Sequence, residues 1–133
     1  MQFLQPKEWN APRGYSNGVL TTGKMIFLAG QVGWNSNCKF ESNDLVGQAL
    51  QVFRNIAAIL QEAGAKPEHI VRLTWFIKDK KDYIKHSKQV GEAYRTVMGK
   101  HFPAMSLVQV VDLLEDQALI EVEATAVIPG DTL

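Results

Sequence analysis

Disulfide potential, an excess of charge of either sign and membrane-length apolar runs are all missing from this 133-residue sequence. Cys38 is the single cysteine, so no intrachain bridge can form; a reducing compartment with a bystander thiol is the simpler reading. Lys and Arg together number 14, as do Asp and Glu, so no global field draws the chain toward nucleic acid or anionic lipid. No apolar run approaches the roughly 20 residues of a membrane-spanning helix. Residues 1–7 lack the basic and apolar parts of a secretory signal, and a cytoplasmic location is expected. Repeats and low-complexity tracts are absent too, which leaves one domain expected over residues 1–133.

What remains is ordinary globular usage, 46% hydrophobic and 21% charged. Residues 1–14 read as an irregular arm. Residues 19–22 and 24–31 read as a hairpin turning at Gly23, its second strand apolar enough to be buried on both faces. A polar loop over 34–42 leads into a helix over 43–63. There Leu45, Ala49, Val52, Phe53, Ile56, Ile59, Leu60 and Ala63 recur at helical spacing. Ser42 or Asn43 is expected to cap that helix, with Asp44 in its first turn and Gly64 as its stop. A strand over 70–77 and a second helix over 82–98 follow. Strands over 106–114 and 119–127 close the chain, with an acidic turn, Glu115-Asp116-Gln117, between them.

The expected order is β-β-α-β-α-β-β, an α+β domain with a mixed sheet. Two helices cover one face of such a sheet. Apolar residues on the other face (Leu28, Val108, Val110 and Val111 supply both sides) would stay exposed in a monomer, and association into a cyclic homo-oligomer would bury them.

Few residues offer chemistry. Alternation along the last strand puts Ile120, Val122, Ala124 and Ala126 on one face, and Glu121, Glu123 and Thr125 on the other. A carboxylate at a partly dry subunit boundary can take and return a proton; a solvated or ion-paired glutamate is the plainer alternative. His69, His86 and His101 show no metal-ligand spacing, so no metal is expected. Lys78, Lys80, Lys81, Lys85 and Lys88 cluster around the second helix, as a solvated face or an anion site. Trp75 is expected to pack in the core or at an interface, whereas Trp9 and Trp34 fall in loops, where they would line a pocket or a subunit contact.

Five segments together resemble the RidA (YjgF-type, endoribonuclease L-PSP-like) family of reactive-intermediate deaminases. They are Gly14-Tyr15-Ser16-Asn17-Gly18-Val19, Ala29-Gly30-Gln31-Val32, Asn55-Ile56-Ala57-Ala58-Ile59-Leu60 with Ala63-Gly64, Phe102-Pro103-Ala104-Met105-Ser106, and Ile120-Glu121-Val122-Glu123-Ala124-Thr125-Ala126-Val127. The resemblance implies a chorismate-mutase-like fold with both helices on one face. It also implies a barrel-cored homotrimer with clefts at subunit boundaries. It implies hydrolysis of small enamines or imines to a carbonyl compound and ammonia, without a cofactor. Glu121 matches the family's water-handling glutamate, Tyr15 its cleft tyrosine and Leu107 its backbone-contact position. Met105 stands where the family has a substrate-binding arginine, Ala29 where serine is frequent, and Lys88 where asparagine is common.

A thioether cannot imitate a bidentate arginine–carboxylate pair. A substrate carboxylate left unpaired in a partly dry cleft costs on the order of 3 kcal/mol. The resemblance therefore points to an enamine or imine without a nearby free carboxylate, unless Lys88 restores the cation. The alternative is a non-catalytic trimer that binds a small molecule or a protein. A ribonuclease reading finds little support in a neutral chain with one lysine cluster, so nucleic acid is not an expected partner, and neither is a membrane.

Overall fold

The computed structural model describes residues 1–130. Its elements are β1 (Gln2–Leu4), β2 (Gly18–Leu20), β3 (Gly23–Val32), α1 (Leu45–Glu62), β4 (Ile70–Ile77), α2 (Lys80–Met98), β5 (Ala104–Gln109) and β6 (Ile120–Pro129). Four strands form a mixed sheet in the order β3-β6-β4-β5, antiparallel except for the β4–β5 pair. Both helices lie on one face, where Phe53, Ile56, Leu60, Leu73, Ile120 and Val122 are fully buried. Each such side chain contributes about 1.5–3 kcal/mol of burial. The α+β class, the two helices and the mixed sheet agree with the sequence expectation.

The N-terminal expectation needs correction. The arm is not wholly irregular, because β1 forms a strand antiparallel to β2. The hairpin at Gly23 does not form, since β2 pairs with β1 and β3 pairs with β6. Gly23 serves that second pairing. Its φ is +147°, and a Cβ there would lie 1.9 Å from the Ile128 carbonyl oxygen, so the close approach of β6 requires glycine. The segment has the residue types of a turn but uses them to pass between two sheets.

Helix ends also shift. Asp44 itself caps α1, accepting from the Gly47 amide at 2.7 Å, while the Ser42 hydroxyl accepts from the Asp44 amide. Asp79 caps α2 by accepting from Lys81 and Asp82, so the helix starts earlier than its apolar stripe. α2 bends at His86 (φ −111°, ψ 15°), whose Nδ1 lies 3.0 Å from the Asp82 carbonyl oxygen. β5 stops at Gln109, opposite Ile77, the last residue of β4 to pair with it; the Val110 amide still donates to the Ile77 carbonyl, but among the described residues no strand continues the ladder to 114.

Beyond the helices the other sheet face stays open. Met25 and Phe27 on β3 are 61% and 73% exposed, so β3 is not buried on both faces within one chain. Val108 is also exposed, and past the end of β5 so are Val111 and Leu114. That is the apolar patch expected from the strand pattern.

Candidate functional site

Two places in the fold collect the expected site residues, one on each face of the sheet. The first is a cavity of about 400 Å³ on the helix side, between α2 and the edge strand β5. Its wall includes Trp75 from β4, Tyr83, Val90 and Tyr94 from α2, and Phe102, Met105 and Leu107 around β5. The parallel register sets this up: Leu73 faces Met105 and Trp75 faces Leu107, so both β5 side chains share the helix-facing side. The N-terminal arm closes one edge. Ser16 donates through its hydroxyl to the Phe102 carbonyl and through its amide to Pro103, which carries Arg13, Gly14 and Tyr15 against the cavity.

The cavity's rear is rigid. Phe53 meets Trp75 and Tyr94 edge-on at 5.3 Å, and Tyr94 stacks on Phe102 at 5.7 Å. The Tyr94 hydroxyl donates to the His101 carbonyl at 2.6 Å. Burial pushes the Tyr94 and Tyr83 hydroxyls upward from the ordinary phenol range, so both stay neutral donors at physiological pH. Trp75 is only 5% exposed, yet its indole N–H has no acceptor among the described residues. Such an orphan donor is uncommon in a native interior.

The second place is on the open face. Glu121 lies between fully buried Ile120 and Val122 and projects away from the helices, opposite Phe76 on β4 and Val32 on β3. Beside it β3 breaks register between Leu28 and Gln31, which puts Ala29 and Gly30 in a bulge. The carboxylate rests over Gly30, where an added Cβ would lie 2.2 Å from Oε2. Glycine at 30 is therefore what seats Glu121.

Tyr15, Met105 and Leu107 thus come together at the cavity, and Ala29 and Glu121 come together on the open face. Lys88 joins neither group; it is exposed on α2, next in sequence to the cavity residue Ser87. Trp9 is exposed and Trp34 packs on Phe40, while Trp75, expected as core or interface packing, is buried and also lines the cavity. Sequence reasoning missed Arg13 and Arg95, which also line it. The available signal was Ser87, Gly91 and Arg95 at four-residue spacing, which places a glycine and an arginine on one helical stripe. Among the described residues no group of three or more His, Cys, Asp and Glu could hold a metal ion, and no helix is long and apolar enough to cross a membrane.

Residues 6–128 match the family described as Endoribonuclease L-PSP. The chain belongs to this RidA/YjgF (RutC) family. A RutC family protein from Synechocystis is 32% identical, with 97% of this chain and 98% of that protein covered. The 2-iminobutanoate/2-iminopropanoate deaminase of Escherichia coli is 38% identical over 121 residues, covering 89% of this chain and 92% of the enzyme. Among solved structures, the Rid-family protein YyfB from Yersinia pestis, described as of unknown function, superposes with a TM-score of 0.81 at 31% identity. That superposition spans 96% of this chain and 98% of YyfB. The Rid likeness extends over both the cavity residues and the bulge that seats Glu121.

Proposed function

We propose that this chain is a cofactor-independent enamine or imine hydrolase that works as a homotrimer. Its substrate carries no carboxylate beside the reacting C=N bond. The observation that carries the reading is Glu121, seated over Gly30 on a sheet face whose apolar residues call for a second copy. The similarity to imine deaminases supports it. In an assembled cleft, the carboxylate of one copy would face the cavity of the next.

The chemistry follows from that placement. Water adds to the imine carbon while Glu121 accepts a proton from it, and the protonated carboxyl then gives the proton to nitrogen. The resulting carbinolamine collapses to a carbonyl compound, and ammonia leaves. Tyr15 and the Leu107 backbone would position the substrate, while Met105 supplies an adaptable apolar wall in place of a cation. Ala29 leaves room beside the carboxylate. Lys88, exposed and outside the cavity, would serve only if the assembled cleft extends to it.

Ammonia release from a panel of imines tests the reading, with the 2-imino acids as one arm and imines lacking an adjacent carboxylate as the other. Wild type is expected to favour the second arm, Glu121→Ala to lose turnover, and Met105→Arg to gain the first arm. Unchanged rates in Glu121→Ala would sink the hydrolase. Met105 favours a second reading, a trimer that binds without turnover. That reading predicts ligand-induced thermal stabilisation with no Glu121-dependent product.

A further inference from the structure

Arg13 and Arg95 both line the helix-side cavity, and among the described residues no Asp or Glu does. Neither arginine has a carboxylate within ion-pair distance among the described residues, where the ion pairs are Lys78–Asp112 and His86–Asp82. Arg95 folds back along its own helix. Its Nη1 comes within 3.3 Å of where a Cβ on Gly91 would sit, so the glycine leaves the space that the guanidinium uses. The arm that carries Arg13 is tied down by the two Ser16 hydrogen bonds. The cavity therefore joins a cationic rim to an aromatic interior.

Trp75 lines the same cavity and is nine-tenths buried, so with Tyr83, Tyr94 and Phe102 it gives the interior an aromatic wall. The cavity volume of about 400 Å³ holds on the order of a dozen water-sized groups, more than a three-carbon acid fills.

We infer that the cavity binds a carboxylate whose acid group sits on Arg95 and Arg13. Its aromatic or branched body lies against Tyr83, Phe102 and Met105. The cation that residue 105 does not supply is thus provided at the rim, and the acid group is remote from the reacting carbon. Arginine is suited to the task because its planar fork grips both carboxylate oxygens. The inference rests on the hydrolase reading only in calling this ligand the substrate; the binding stands by itself.

The test uses 4-oxo-4-phenylbutanoate, a stable ketone with a remote acid group, and its neutral primary amide, titrated into the whole protein by calorimetry. The acid is expected to bind at least tenfold more tightly than the amide. Arg95→Gln should remove most of that difference and Arg13→Gln part of it, and added salt should weaken the acid alone. Equal affinity for acid and amide, an Arg95→Gln protein that binds as wild type, or no binding at all would overturn the inference. None of those outcomes touches the hydrolase, which fails instead if Glu121→Gln keeps full ammonia release.

Discussion

The two faces of the β3-β6-β4-β5 sheet are finished to different degrees. On the helix face, Phe53, Ile56, Leu73, Ile120 and Val122 are fully buried and the aromatic cluster is packed edge to face. On the other face, Met25 and Phe27 stand in solvent, and farther along the sheet Glu121 has its own glycine seat. The cavity belongs to the first face and Glu121 to the second. On the proposed reading a single chain holds both halves of a site without bringing them together, and the open face is where a second copy would join them.

The contrast can be broken first in its rigid half. Phe53→Ala removes the ring that Trp75 and Tyr94 lean on and should destabilise the fold by about 3–5 kcal/mol, measured by denaturant unfolding; the cavity should lose ligand affinity with it. Glu121→Gln, by contrast, should leave unfolding nearly unchanged and lower turnover about 100-fold, roughly 2.7 kcal/mol of barrier. Gly30→Ala should mimic it, because the new Cβ displaces the carboxylate. An active Gly30→Ala enzyme would detach Glu121 from the account.

How much of this could be read from the chain itself differs between the two faces in the same way. Alternation on β6 identified Glu121's side of the sheet, and the exposed apolar residues followed from counting two helices against two faces. Period-based reading failed where pairing is long-range. Gly23 has turn chemistry but faces Ile128, a partner 105 residues away, and the arm joins β5 through Ser16 and Phe102. The arginines of the cavity were invisible for the same reason: nothing local to Arg13 announces that it lies near Arg95. Family resemblance located Met105 and Leu107, but not the charge that surrounds them.

Smaller changes sharpen the comparison. Phe27→Ser should keep the circular-dichroism spectrum and weaken self-association about tenfold, roughly 1.4 kcal/mol, as read by sedimentation; unaltered assembly would place the interface elsewhere. Tyr94→Phe should cost about 1 kcal/mol through the lost bond to His101. Tyr94 also sets a pH dependence. Burial holds its hydroxyl above the ordinary phenol value of 10.0 in the folded state, so its stabilisation is present below that pH and is lost as pH rises beyond it. Wild type should lose stability above pH 10 more steeply than Tyr94→Phe.

Mixed assembly tests the central claim most directly. Gly91→Trp, on the cavity wall where the Arg95 side chain lies over the glycine, should displace that side chain and block binding, and Glu121→Gln should block chemistry; each is expected to be inactive alone. If each site takes its cavity from one copy and its carboxylate from the neighbour, trimers co-assembled from equal amounts should regain about a quarter of wild-type turnover. Mixed trimers that form, are isolated, and remain as inactive as the separate variants would contradict the account.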